Sequence, residues 1–103
     1  MRIELNEIAK NALITAQKRE SNGANLRIND ILKHCAGEVI EAAEARAKCG
    51  RVANSFAAYS EELADIVICV LIAAARDGVD IETALNEKMA KNAKRAALQG
   101  EKL

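Results

Sequence analysis

Four acidic residues form two closely spaced pairs on neighbouring predicted helices, Glu38 and Glu41 on one and Glu62 and Asp65 on the next. Residues three apart on a helix share a face, so each pair repels itself. None of the four has a Lys or Arg three or four residues away. Two such pairs on packed helices predict a shared site for hard divalent cations, with oxygen ligands suited to Mg²⁺ or Mn²⁺.

Asp65 makes this interpretation stronger because it stands at the start of an apolar segment, Leu63 to Ala75. A helix there is expected to be buried on nearly every side, and an unpaired buried carboxylate costs several kcal/mol. The alternative is that the acids are surface carboxylates near a helix N-terminus. That alternative fits Glu61 and Glu62 well and Asp65 badly.

A stripe of hydrogen-bond donors lies on the last predicted helix, where Lys88, Lys91, Asn92 and Arg95 follow an i, i+3, i+4, i+7 spacing. Lys offers a mobile charge, Arg a bidentate fork and Asn a neutral donor, which together suit a metal-bound phosphate chain. Basic residues late in a helix also favour its dipole and often form only a solvated face. Both interpretations remain open from the stripe alone.

The composition predicts one all-α domain over residues 1–103, because the chain is 50% hydrophobic, has 2% aromatic residues and contains no Pro. A formal net charge of zero argues against duplex nucleic acid or an anionic membrane as partner. The longest apolar run, from Ile66 to Ala75, is far below the roughly 18 residues of a membrane span. Three cysteines without chelate spacing or a signal peptide predict reduced thiols in a cytoplasmic protein.

Gly and small polar residues divide the chain into four predicted helices. The first runs from about Ile3 to Arg19, with an apolar stripe of Ile3, Leu5, Ile8, Ala12 and Ala16, and ends before Ser21 to Asn25. The second runs from about Leu26 to Lys48, with Asn25 as its predicted cap and Gly50 as its stop. The third is capped by Asn54, Ser55 or Ser60 and stops at Gly78. The fourth is capped by Asp80 and continues to about Gln99.

The third predicted helix is apolar on more faces than three partner helices of one small chain are expected to cover. A second copy of the chain is therefore predicted to cover the remainder. The sequence does not choose between a homodimer and a larger assembly such as a homotetramer.

The acidic segments carry a resemblance to a known family. Gly37-Glu-Val-Ile-Glu-Ala-Ala-Glu44 and Glu61-Glu-Leu-Ala-Asp-Ile-Val-Ile68 resemble the E-x-x-E and E-x-x-D signature of the MazG-like all-α nucleotide pyrophosphohydrolases. Lys88 to Arg95 resembles the K-x-x-x-N-x-x-R segment of MazG and dimeric dUTPase relatives. The resemblance covers roughly residues 26 to 96. One departure is Gly37, where many members carry a Glu.

The resemblance implies a four-helix MazG-like bundle, oligomeric with helices packed across subunits, that converts nucleoside triphosphates to monophosphates and pyrophosphate. It implies Mg²⁺ ligands at Glu38, Glu41, Glu62 and Asp65, with Glu38 or Glu41 activating water. Lys88, Asn92 and Arg95 would contact phosphates, in a nucleotide house-cleaning enzyme. The alternatives are a phosphoribosyl-ATP pyrophosphohydrolase-like enzyme and a non-catalytic helical oligomer that binds a nucleotide or a protein.

Four further residues lie near the acids in the sequence. His34 lies one turn before Glu38 and is placed to hydrogen-bond it, although a lone His is more often structural. Phe56 and Tyr59 precede Glu62 and are candidates either to stack on a base or to pack in the core. Cys69, one turn after Asp65, is expected to be a small core residue.

Overall fold

The computed structural model describes residues 4–19, 26–51 and 55–101, and these contain four α-helices and no strand. The helices are α1 (Leu5–Arg19), α2 (Ile28–Ala47), α3 (Ser55–Arg76) and α4 (Ile81–Glu101). The all-α prediction is confirmed, and the predicted ends lie within about two residues of those observed wherever both ends are described. The predicted start at Ile3 lies outside the described residues.

The helix ends show which sequence signals act as stops and caps. Gly50 and Gly78 have φ angles of 82° and 68°, the left-handed conformation that ends a helix most readily at glycine. Arg27 is the N-cap of α2 and makes no side-chain cap hydrogen bond. The predicted cap Asn25 lies outside the described residues. Ser60 is not a cap, because it lies inside α3 and its hydroxyl donates to the Phe56 carbonyl at 3.0 Å. The alternative cap Asn54 also lies outside the described residues.

The main core lies between α2 and α3. It is formed by Ile31, Cys35, Cys69 and Ala73, with Leu26, Ile28 and Ile72 packed against it. The thiol of Cys69 donates to the Ile31 carbonyl at 3.4 Å, which confirms Cys69 as a small core residue. Burial and the neighbouring Cys35 thiol raise the pKa of Cys69 to about 12, so this group is a neutral thiol at physiological pH.

The first helix packs against α3 rather than against α2. Ala9 is its buried residue, and Leu5, Ala12 and Ala16 are half-buried beside it. Ile8, which the apolar stripe placed in the core, is 40% exposed. The face in contact is therefore centred on small alanines, and the bulkier Ile8 lies at its edge.

A polar joint connects the start of α1 to the start of α4. The Asn6 side-chain oxygen accepts the backbone N–H groups of Ile81 and Glu82 at 3.0 and 3.3 Å, and its amide donates to Asp80 at 2.9 Å. Asp80 also accepts the Thr83 backbone N–H at 3.1 Å, which confirms it as the N-cap of α4. These hydrogen bonds lower the pKa of Asp80, so the joint holds at neutral pH and weakens in acid as the carboxylate protonates.

The rest of α4 has little contact with its own chain. Its side chains from Thr83 to Gly100 are exposed, and its packing on the other helices is confined mainly to α1. The chain has a radius of gyration of 16.9 Å, against about 13 Å for a compact domain of this length. Its accessible surface is 8117 Å², against about 5,700 Å² for a compact monomer of this mass.

Much of this extra surface is apolar. Val67, Ile68 and Val70 of α3 are between 44% and 55% exposed, and Ile40 of α2 is 61% exposed. Yet within the described residues no helix combines the length and the hydropathy that crossing a bilayer requires.

Replacing Asn6 with Ala tests whether the joint holds α4 in place. The variant leaves two backbone N–H groups at the start of α4 without their acceptor, so it is expected to lower the free energy of unfolding by about 1 kcal/mol. Urea denaturation measures the loss, and hydrogen exchange should quicken in the first turn of α4. Asn11→Ala, at an exposed position of the same helix, is the control. An equal loss in both variants would contradict the assignment.

Candidate metal and nucleotide site

Helices α2 and α3 run antiparallel, and this brings the two acidic segments together. At one end Cys69 contacts Ile31, and at the other Glu62 lies beside Glu38 and Glu41. Rising residue numbers in α2 therefore face falling numbers in α3. Small side chains along the seam, such as Cys35 and Ala42, are buried and let the helices approach closely.

Three of the four predicted carboxylates form one cluster. Glu38, Glu41 and Glu62 each offer an oxygen, and these oxygens all lie within 4.8 Å of one another. The Glu38 side chain is only 12% exposed, Glu62 is half-buried and Glu41 is exposed. The cluster is thus open to solvent on the Glu41 side and enclosed on the Glu38 side.

Among the described residues no Lys or Arg forms an ion pair with the carboxylate cluster. One oxygen each of Glu38 and Glu62 is buried without a hydrogen-bond partner. Burial, repulsion from Glu41 and the nearness of the Glu38 carboxyl raise the pKa of Glu62. Buried, unpartnered carboxylate oxygens facing one another are the donor set that a hard divalent cation satisfies.

Asp65 does not belong to this three-carboxylate cluster. It is exposed in the single chain, so the expectation that its own chain buries it is wrong. The neighbouring apolar side chains Leu63 and Val67 are 43% and 55% exposed. The other helices of the chain therefore do not cover this part of α3. Asp65 is still close enough for its charge to help raise the pKa of Glu62.

His34 contacts the enclosed side of the cluster, as its spacing from Glu38 predicted. Its Nε2 lies 2.9 Å from one Glu38 oxygen, while the imidazole itself is 70% exposed. This contact engages one oxygen of Glu38, while the other oxygen is buried without a hydrogen-bond partner among the described residues. The histidine therefore fixes how the most buried carboxylate is turned.

The predicted phosphate contacts are not brought to the cluster within one chain. Lys88, Asn92 and Arg95 are exposed on α4, a helix whose main contact is with α1. The two aromatic residues lie in the first turns of α3, with ring centroids 6.3 Å apart in an edge-to-face arrangement. Phe56 is 71% exposed, so it does not pack in the core of its own chain, and Tyr59 is half-buried.

A cavity of about 530 Å³ lies beside the cluster, and sequence reasoning missed it. Its apolar lining includes Ile31 and Ile72, and its polar lining is Arg19, Arg27, Asp30 and His34. The signal was present in α2, where polar residues continue the Glu38 and Glu41 face towards the N-terminus at three- and four-residue spacing. The cavity could not be predicted because its third wall comes from α1, and no local sequence pattern indicates that α1 lies beside this part of α2.

The described residues form four helices with a carboxylate cluster between two antiparallel ones, an arrangement that could hold a divalent cation. A sequence model of the MazG nucleotide pyrophosphohydrolase domain matches residues 27–97, from the N-cap of α2 to within α4. The match covers more than half of the chain, so the chain belongs to this family. The comparisons found no match among curated proteins or among solved structures.

The raised pKa of Glu62 predicts how metal-free protein responds to pH. As pH rises above the ordinary value of 4.5, the folded state still holds a proton that the unfolded state has released, so this group's contribution to stability falls. Near neutral pH without metal, Glu62→Gln should therefore melt at a higher temperature than the wild type. Thermal melts over about pH 4.5 to 7.5 measure the difference.

The neighbouring exposed Glu61 provides the control for this experiment. Glu61→Gln removes one charge from the same turn of α3 but not from the cluster, so its melting curve should follow the wild type across the range. If Glu61→Gln and Glu62→Gln gain equally, the repulsion is not localised in the cluster.

Proposed function

We propose that this chain is a Mg²⁺-dependent nucleoside triphosphate pyrophosphohydrolase that releases a nucleoside monophosphate and pyrophosphate. The observation that carries the proposal is the cluster of Glu38, Glu41 and Glu62, whose buried oxygens lack a partner among the described residues. Membership of the MazG family supports the same reaction class.

The cluster fits a hard cation in both donor type and charge. Glu38, Glu41 and Glu62 would hold Mg²⁺, or Mn²⁺ in its place, and Asp65 lies close enough to join through its charge. When bound, the ion offsets the charge of the triphosphate and lowers the pKa of an attacking water.

The protein groups supply orientation and a proton acceptor. Glu38 is the most enclosed carboxylate and is held by His34 at 2.9 Å, which suits it to take the proton of the water that attacks the α-phosphorus. A new P–O bond forms as the bridging bond to the β-phosphate breaks, and pyrophosphate leaves with the bonding pair. Glu41, the exposed member of the cluster, would hold the ion from the solvent side, where the phosphates would arrive.

The phosphate-binding residues are proposed to come from a second copy of the chain. Leu63, Val67 and Val70 form an exposed apolar stripe on α3 at i, i+4 and i+7. The surface beyond that of a compact monomer is about 2,400 Å², well above the roughly 800 Å² per partner of a standard interface. A homodimer or homotetramer covers this stripe and places Lys88, Asn92 and Arg95 of one chain near the acids of another.

We further propose that the physiological role is removal of non-standard or surplus nucleotides from the cytoplasmic pool. Release of pyrophosphate distinguishes this enzyme from a helical oligomer that binds a nucleotide without turnover. A screen of canonical and modified triphosphates separates it from a phosphoribosyl-ATP pyrophosphohydrolase-like enzyme.

Removal of the metal should abolish pyrophosphate release, and Mg²⁺ or Mn²⁺ should restore it. Glu41→Gln should reduce the rate by at least about a hundredfold, because it weakens metal binding and with it both charge screening and water activation. A coupled pyrophosphate assay measures both effects.

Glu44→Gln is the matched control, since Glu44 is an exposed acid of the same helix outside the cluster. It should keep near wild-type turnover. Full activity in excess EDTA, or an equal loss in both variants, would show that the catalytic site lies elsewhere.

Mixing two inactive variants tests whether Arg95 acts in a partner's site. Arg95→Ala alone should lower kcat/KM about ten- to a hundredfold through loss of a charge-assisted contact. If Arg95 acts across the interface, a heterodimer with Glu41→Gln contains one intact site, so random mixing restores about a quarter of the wild-type sites. Activity of the mixture and light scattering, against the 11.1 kDa chain mass, measure the outcome.

Lys94→Ala, next to Arg95 but off the stripe, should not slow the enzyme and serves as the control. If mixing gives no gain although light scattering shows mixed oligomers, Arg95 does not complete a partner's site. If Arg95→Ala is itself as active as Lys94→Ala, the stripe is only a solvated face.

A further inference from the structure

We propose that the cavity between α1, α2 and α3 binds the base of the nucleotide and that Asp30 selects guanine-type bases. The inference rests on the proposed function and adds the class of substrate. It concerns residues that the acidic motifs do not include, and one wall of the cavity, formed by Ala16 and Arg19 of α1, lies outside the stretch matched to the family.

The cavity adjoins the carboxylate cluster through His34. Along α2 the polar residues Arg27, Asp30, His34 and Glu38 follow one another at three- and four-residue spacing. His34 lines the cavity and also contacts Glu38 at 2.9 Å, so a single imidazole ring touches both the cavity and the cluster. Asp30 and Glu38 are eight residues apart in sequence, about 12 Å along the helix axis. That separation suits a nucleoside 5′-phosphate with its base at Asp30 and its phosphate at the acids.

The lining of the cavity matches the two chemical faces of a base. Leu26, Ile31 and Ile72 supply apolar contact for the flat surfaces of a ring. A volume of about 530 Å³ accommodates a purine and its ribose. Polar side chains at the rim can then read the edge of the ring.

The rim combines one carboxylate with two guanidinium groups, and this combination favours guanine. An ionised Asp30 only accepts hydrogen bonds, and among the common bases guanine alone presents two adjacent donors, N1–H and N2–H, to such a group. Arg27 and Arg19 offer planar donor forks, which pair well with the adjacent guanine acceptors O6 and N7. Uracil, thymine, cytosine and adenine each leave either the Asp30 carboxylate or the arginine donors without a full set of hydrogen bonds.

Asp30 also lies in the first turn of α2, where a carboxylate favours the helix dipole. That role predicts a change in stability on substitution and no change in base preference. The two roles therefore separate in one experiment.

The test compares pyrophosphate release from guanosine and inosine triphosphates, which differ only by the N2 amino group. The wild type is expected to prefer the guanine substrate by about tenfold in kcat/KM, the value of one hydrogen bond to a charged group at a partly exposed rim. Asp30→Asn should remove this preference, lowering kcat/KM for the guanine substrate about tenfold more than for the inosine substrate, because inosine offers the carboxylate only N1–H. Glu7→Gln, an exposed acid at the far end of α1 from the cavity, should keep the preference.

A second measurement does not depend on turnover. Guanosine without phosphate or metal should shift NMR signals of Asp30 and His34 in the wild type, and Asp30→Asn should weaken its binding about tenfold relative to inosine. If the wild type hydrolyses triphosphates but treats guanine and hypoxanthine alike, the base assignment is overturned and the proposed function stands. If no triphosphate is hydrolysed, the proposed function fails, and guanosine binding that ignores Asp30 overturns the cavity assignment as well.

Discussion

The close packing of α2 against α3 is the constraint on which the site depends. Buried small residues, among them Cys35, Ala42, Cys69 and Ala73, let the two helices approach closely. The same approach forces the carboxylates of Glu38, Glu41 and Glu62 to within 4.8 Å of one another, where they repel. Apolar contact along the seam therefore holds like charges together, and under the proposed function a bound cation would offset their repulsion. A wider seam would relieve the repulsion and lose the site.

The other two helices, α1 and α4, pack on the rest of the chain to different extents. The first helix closes one side through α3 and forms the third wall of the cavity with its C-terminal end. The fourth helix is attached at its start by Asn6 and extends from there with exposed side chains. One chain thus contains a well-packed acidic groove and a poorly covered basic helix. The proposed oligomer accounts for both features with one interface.

The sequence predicted what local chemistry determines. Gly50, Gly78 and Asp80 marked helix ends because left-handed glycine and an N-cap carboxylate act within one turn. The spacing of the acids placed Glu38, Glu41 and Glu62 together because antiparallel helices bring their matching faces into contact. The sequence could not predict that Asp65 is exposed or that Asp30 borders a cavity. Both depend on which surfaces the first helix and a second chain cover, and no local pattern contains that information.

The joint made by Asn6 has a consequence for how the protein is synthesised. Asn6 lies 75 residues before Ile81, whose backbone it caps, and α1 packs on α3 rather than on the adjacent α2. During translation the first helix therefore leaves the ribosome long before either of its partners exists. Such distant contacts slow folding and leave apolar surface open to other chains in the meantime. Of the four described helices, the one made first is therefore among the last to be secured, and a pause in translation before α3 would expose it for longest.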